Sequence, residues 1–120
     1  MKAYTDLEQS KKLAKILPLE SADMHYVLID SDQETYSPGL EKYYGVLPSI
    51  PCWSLAALLE EVPDTIINMV SEGLKLHIDK DGFQYSLFYE NEYTGNMFEI
   101  ETEWYDDMID ACYEMILKLH

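Results

Sequence analysis

From Leu74 to Tyr89 the chain alternates with a period of two. Leu74, Leu76 and Ile78 are interleaved with Lys75, His77 and Asp79; then Phe83, Tyr85, Leu87 and Tyr89 with Gln84, Ser86, Phe88 and Glu90. Only a β-strand sends successive side chains to opposite faces, so this pattern commits the region to two half-buried strands. The polar break Asp79-Lys80-Asp81-Gly82 makes them a hairpin. A four-residue loop pairs Ile78 with Phe83, Leu76 with Tyr85 and Leu74 with Leu87, and Gly82 supplies the positive φ that such loops favour. A hairpin with one apolar face needs further strands and a covering layer, which already points to an antiparallel sheet with helices on one side.

The remaining elements are consistent with that frame. A second turn at Thr94-Gly95-Asn96 leads into MFEIETEW, with Phe98, Ile100 and Trp104 facing inward and Glu99, Glu101 and Glu103 outward. In the last segment Asp106 or Asp107 caps a helix whose Met108, Ala111, Cys112, Met115, Ile116 and Leu119 form one stripe, with acids at its start and Lys118 at its end, as the helix dipole prefers. Residues 24–30, MHYVLID, read as a strand with a partner near 33–38, cut short by Pro38-Gly39; residues 40–50 read as a loop of some extended character. Ser54 caps a helix over 54–62 that Pro63 ends, and residues 64–73 suggest one more helical turn closing at Gly73. At the N-terminus Thr5-Asp6-Leu7-Glu8 has the form of a capping box for a helix over 5–17 ended by Pro18, with Lys11, Lys12 and Lys15 as a basic patch. The sum is a single α+β domain, residues 1–120: an antiparallel sheet of four to five strands with about three helices packed on one face.

Charge narrows the function. The chain carries 23 acids against 8 bases, a net charge of −15, and every base is Lys. Without Arg the chain lacks the usual reader of phosphates and base edges. Direct nucleic-acid binding and attraction to an anionic membrane are therefore excluded as expectations. No apolar run approaches the ~20 residues that span a bilayer, and Asp6, Glu8 and Gln9 interrupt the opening segment where a signal sequence is apolar. The expected location is the cytoplasm. Cys52 and Cys112, 60 residues apart and outside any CxxC, read as reduced core thiols.

The densest chemistry lies in "IETEWYDDMID" and its flank: Glu99, Glu101, Glu103, Asp106, Asp107 and Asp110. Every charged residue between Asp81 and Lys118 is an acid. On one strand face alternate carboxylates stand about 7 Å apart. That spacing suits a solvated row, or an imitation of a nucleic-acid backbone, better than convergence on one metal ion. No metal and no cofactor is expected. The loop HIDKDGFQYSLFYE, set in a calcium-loop register by Gly82, puts His77 first and Phe88 twelfth, where Asp and Glu are needed. His25, His77 and His120 are isolated, and neither a zinc motif nor a Gly-rich phosphate loop is present. Cys52, just after Pro51 and before a helix start, is the one nucleophile position to weigh, but Trp53 beside it suggests burial. Ten Tyr and two Trp, among them Tyr43, Tyr44, Tyr89, Tyr93, Tyr105 and Tyr113, offer aromatic interface surface.

Three blocks carry a resemblance: YTDLEQSKKLAKILPLESADM at 4–24, IPCWSLAALLEEVP at 50–63 and DACYEMILKLH at 110–120. They resemble a group of short acidic proteins of gut-type bacteria and their prophages or other mobile elements. The resemblance implies context: an intracellular accessory protein of phage or mobile-element origin. Together these features predict a non-enzymatic acidic module that binds a protein partner, a basic nucleic-acid-handling one in the sharpest form. The alternatives are an assembly component that forms homodimers through Tyr and Trp surfaces and, behind it, a Cys52-dependent enzyme.

Overall fold

A computed structural model of the chain describes residues 2–30, 35–39, 49–67, 72–94 and 97–120. The elements run α1 (Leu7–Leu13), a 3-10 turn (Leu19–Ser21), β1 (Met24–Asp30), β2 (Thr35–Gly39), β3 (Ser49–Cys52), α2 (Leu55–Glu61), β4 (Thr65–Ile67), β5 (Gly73–Asp81), β6 (Gln84–Glu90), β7 (Met97–Glu101) and α3 (Met108–Leu119). The α+β class and its three helices agree with the sequence. The strands, however, divide into two antiparallel sheets, β2-β1-β3 and β4-β5-β6-β7. Pro38 and Pro51 explain the division in part. They lie in β2 and β3, at the two edges of the smaller sheet, where a missing N–H costs no ladder bond.

The core follows the apolar stripes. Leu13, Trp53, Leu58, Leu74, Leu87, Tyr89, Ile109, Met115 and Ile116 are buried in one cluster between the helices and the larger sheet. Met24, Tyr26 and Cys52 form a smaller one with Tyr4, Leu7 and Ile50 at the three-stranded sheet. Asp107 caps α3, accepting from Ile109 N at 3.1 Å, and Ser54 caps α2, accepting from Ala57 N at 3.3 Å.

Four local expectations are corrected. First, the capping box of α1 is Asp6 with Gln9, not Thr5 with Glu8: Gln9 N donates to Asp6 Oδ1 and Asp6 N to Gln9 Oε1. Thr5 is engaged elsewhere. It is buried, its hydroxyl accepts from Trp53 N and meets Ser10 Oγ, and its backbone N–H donates to Trp53 O. The helix proper ends at Leu13 and continues to Leu17 as a turn, with Leu17 N donating to Leu13 O. Second, residues 65–67 are not helical but pair with β5, Ile66 opposite Leu74.

Third, the central hairpin closes on a two-residue turn instead of a four-residue loop, which shifts each strand partner by four residues. Asp81 pairs with Gln84, Ile78 with Leu87 and Leu76 with Tyr89. The turn is Gly82-Phe83, with Gly82 at φ 60° in the first central position, as primed hairpin turns require. Phe83 therefore stands at the tip, 90% exposed, instead of facing the core. Fourth, Trp104 does not point inward; its displacement shapes the site described next.

The outer face of the larger sheet

β6 and its neighbours expose a face that the helices leave bare. Leu87 and Tyr89 point to the core, whereas Ser86, Phe88 and Glu90 point the other way. On this outer side His77, Phe88 and Glu101 lie in register across β5, β6 and β7. The His77 imidazole stacks on the Phe88 ring at 5.2 Å and 8°, and its Nε2 lies 3.4 Å from Glu90 Oε2.

Past Glu101 the edge of the sheet bulges. Thr102 N donates to Leu87 O and Leu87 N to Thr102 Oγ1, while Tyr105 exchanges both backbone bonds with Tyr85. Two residues, Glu103 and Trp104, thus stand opposite the single Ser86, which is a β-bulge. The extra residue reverses the side-chain alternation. Tyr105 takes the inward place and packs against the core, and Trp104 emerges on the outer face, 45% exposed. Nothing in the pattern of MFEIETEWYDD marks the insertion, so alternation carried past Glu103 points Trp104 and Tyr105 the wrong way.

The bulge opens a groove of about 390 Å³ lined by Asp79, Ser86, Phe88, Glu101, Glu103 and Trp104, with Thr102 at its base. Ser86 and Thr102 are buried with their hydroxyls engaged: Ser86 Oγ donates to Thr102 O at 3.1 Å and Thr102 Oγ1 to Glu103 O at 2.9 Å. The base of the groove is thus internally satisfied. Its rim carries three carboxylates, and among the described residues no base lines it.

The six acids singled out in the sequence do not form one row. Glu101 and Glu103 are exposed on the groove rim, and Asp106 is exposed nearby, accepting from Gln84 Nε2 at 3.2 Å. Asp107 and Asp110 turn to the N-terminal segment. Lys2 N donates to Asp107 Oδ2 at 2.6 Å, and Lys2 Nζ and Gln9 Nε2 both donate to Asp110 Oδ1, at 2.8 and 2.7 Å. Glu99 belongs to β7, and its side chain lies outside the described residues. Asp79, on the opposite rim, is the acid that the sequence pattern left out of the set. Its signal was its outward place beside His77, and only the register of the sheet brings it to Glu101 and Glu103.

A second groove, of about 360 Å³, is lined by Lys2, Ala3, Tyr4, Asp6 and Tyr26. Here the chain supplies its own cation: Lys2 Nζ bridges Asp6 at 3.1 Å and Asp110 at 2.8 Å. Partial burial of the Lys2 ammonium lowers its pKa, but the hydrogen bonds and charges of Asp110 and Asp6 outweigh that and hold it raised. Burial likewise pushes Asp6 up, yet its bonds from Gln9 N and Lys2 hold it below the ordinary carboxylate value.

Among the described residues no group of His, Cys, Asp and Glu is placed to hold a metal ion, and no helix is long and apolar enough to cross a membrane. Both cysteines are buried and free of disulfides, as expected for core thiols. Burial raises the Cys52 thiol, an effect its Thr5 and Ser10 contacts only partly offset, and pushes Cys112 up to about 12. The aromatic candidates divide. Tyr93 is fully exposed and Tyr105 half-buried, whereas Tyr89 and Tyr113 are buried, correcting their assignment to interface surface. Tyr89 is fixed by donating to Pro63 O at 2.7 Å. Tyr43 and Tyr44 lie outside the described residues. No protein family, no curated protein and no solved structure matches the chain.

Proposed function

We propose that the chain is a non-enzymatic binding module that engages a basic protein partner, of the kind that handles nucleic acid, through the acidic outer face of its larger sheet. The observation that carries this reading is the placement of Glu101, Glu103 and Asp106 on a face the helices do not cover, with Asp79 across the groove and no base among the described residues lining it. Carboxylates in that arrangement attract cationic surface and steer its approach. They repel nucleic acid and anionic lipid, so the partner is protein. An intracellular accessory protein of phage or mobile-element origin, working in the cytoplasm, suits such a role.

The test is capture from a bacterial extract with the wild-type chain and the triple variant Glu101→Lys, Glu103→Lys, Asp106→Lys in parallel, followed by a salt series on the captured pair. The wild type should retain a basic protein that salt releases, and the variant should retain none. Equal capture by both chains would defeat the proposal.

A second reading, self-association through aromatic surface, is favoured by the exposure of Tyr93, Phe83 and Trp104. Sedimentation across the same salt series distinguishes it, because an aromatic homodimer persists where a charge-driven complex dissociates. Rapid alkylation of Cys52 in the folded chain at neutral pH would instead turn attention to cysteine chemistry.

A further inference from the structure

The two grooves share a chemistry and differ in one respect. At the N-terminal groove, carboxylates and tyrosines surround a cation that the chain provides, Lys2. At the outer groove, three carboxylates and two aromatic rings surround no cation among the described residues. The nearest lysines of the sheet are committed elsewhere. Lys75 Nζ lies 3.6 Å from Glu92 Oε1, and Lys80 Nζ sits 5.9 Å over the ring of Tyr85, whose place in the strand alternation is on the core side.

We propose that the outer groove is a socket for one arginine side chain of a basic partner, held against the Trp104 indole between the carboxylates of Glu101, Glu103 and Asp79. This rests on the basic-partner reading above and adds to it a place, a side chain and an aromatic residue.

Four features favour arginine. The satisfied hydroxyls of Ser86 and Thr102 ask nothing of an occupant, so the base of the groove accepts the apolar stem of a long side chain. One side of Phe88 is already covered by His77, which leaves Trp104 as the open platform, and indole is the best aromatic partner for a cation. A guanidinium is planar, stacks on aromatic faces and presents a fork of donors to carboxylates, whereas an ammonium is a compact point charge. Finally, the charge of the described residues that line the groove is negative throughout, so entry of a cation relieves repulsion among Asp79, Glu101 and Glu103.

The experiment uses the full chain, 15N-labelled, and a capped peptide of alternating Gly and Arg, with a second peptide carrying the neutral isostere citrulline at each Arg. The two indole N–H signals report separately, since Trp53 is fully buried with its Nε1 donating to Ser21 Oγ, and Trp104 is not. At low salt the Arg peptide should move the Trp104 signal and leave that of Trp53 in place, and the citrulline peptide should move neither. Trp104→Ala should weaken Arg-peptide binding about tenfold. Glu101→Gln with Glu103→Gln should weaken it at least as much, and circular dichroism should find each variant folded.

If the Arg peptide binds and is lost on removing the carboxylates, yet Trp104→Ala binds as wild type and the indole signal stays still, the socket is wrong and the broader acidic-face reading survives. If the wild-type chain does not bind the peptide at all, both are overturned.

Discussion

Leu87 and Phe88 are neighbours in the chain and belong to one strand, but they face different solvents. Leu87 is sealed in the main core with Leu74, Ile109 and Met115. Phe88 looks outward onto His77 and a groove rimmed by acids. The inner face is defined by volume: any change of shape there leaves a void or a clash. The outer face is defined by charge and by the place where alternation breaks. Substitutions on the two sides should therefore separate stability from binding.

The largest effect should come from the inner side. Leu87→Ala should lower unfolding free energy by about 2–5 kcal/mol in a urea melt, because a fully buried leucine leaves a cavity when truncated. A loss below about 1 kcal/mol would mean that the two faces are less distinct than their burial implies. Next comes the junction. Thr102→Val keeps the side chain's shape but removes the acceptor for Leu87 N, leaving a buried donor unmatched at a cost of about 1–3 kcal/mol.

The alkaline limb of stability reads the inner side through its titratable groups. Burial raises Cys112 from 9.0 to about 12 and Tyr89 from 10.0 to about 12. Below pH 9 both are neutral whether the chain is folded or not. Above it the unfolded chain gives up the Cys112 proton while the folded chain keeps it, so stability falls as pH rises. The slope is about 1.4 kcal/mol per pH unit for each such group, giving a loss of roughly that size by pH 10. Melting temperatures from pH 8 to 11 should follow this course, and in Cys112→Ala the decline should be shallower, with the buried Cys52 thiol still contributing to it.

The smallest effect on stability belongs to the outer side. Trp104→Ala should cost under about 1 kcal/mol, since nearly half of the side chain is already in water, while affinity for an Arg-bearing peptide falls. A stability loss as large as that of Leu87→Ala would make Trp104 a core residue and would remove the contrast between the faces.

How much of this was legible in the sequence depends on what alternation can and cannot sense. The faces of β5 and β6 were readable, since Leu74 and Leu87 are both buried as the period of two requires. The register was not. Moving the pairing by an even number of residues keeps every side chain on its own side, so a four-residue and a two-residue loop satisfy the same pattern. The turn at Gly82-Phe83 decides between them. The N-terminal cap failed for a related reason. Thr5 and Asp6 are both good caps, and a distant contact, Thr5 with Trp53, determines which one is available. β4 has three residues and too short a period to be noticed.

The acidic set was partly legible. Glu101 and Glu103 are exposed as the strand pattern implied. Asp107 and Asp110 are claimed by Lys2, more than a hundred residues away along the chain, and no local pattern carries that information.

The bulge at Glu103 and Trp104 has one more consequence, for what the chain avoids. A sheet edge with an even row of unpaired backbone groups is a template on which further copies can add strand by strand into fibres. The larger sheet ends in β4 on one side, only three residues long, and in β7 on the other, where the backbone kinks and Glu101 and Glu103 repel any like-charged newcomer. Growth by edge-to-edge stacking is obstructed at both margins, so crowding should leave this sheet four strands wide.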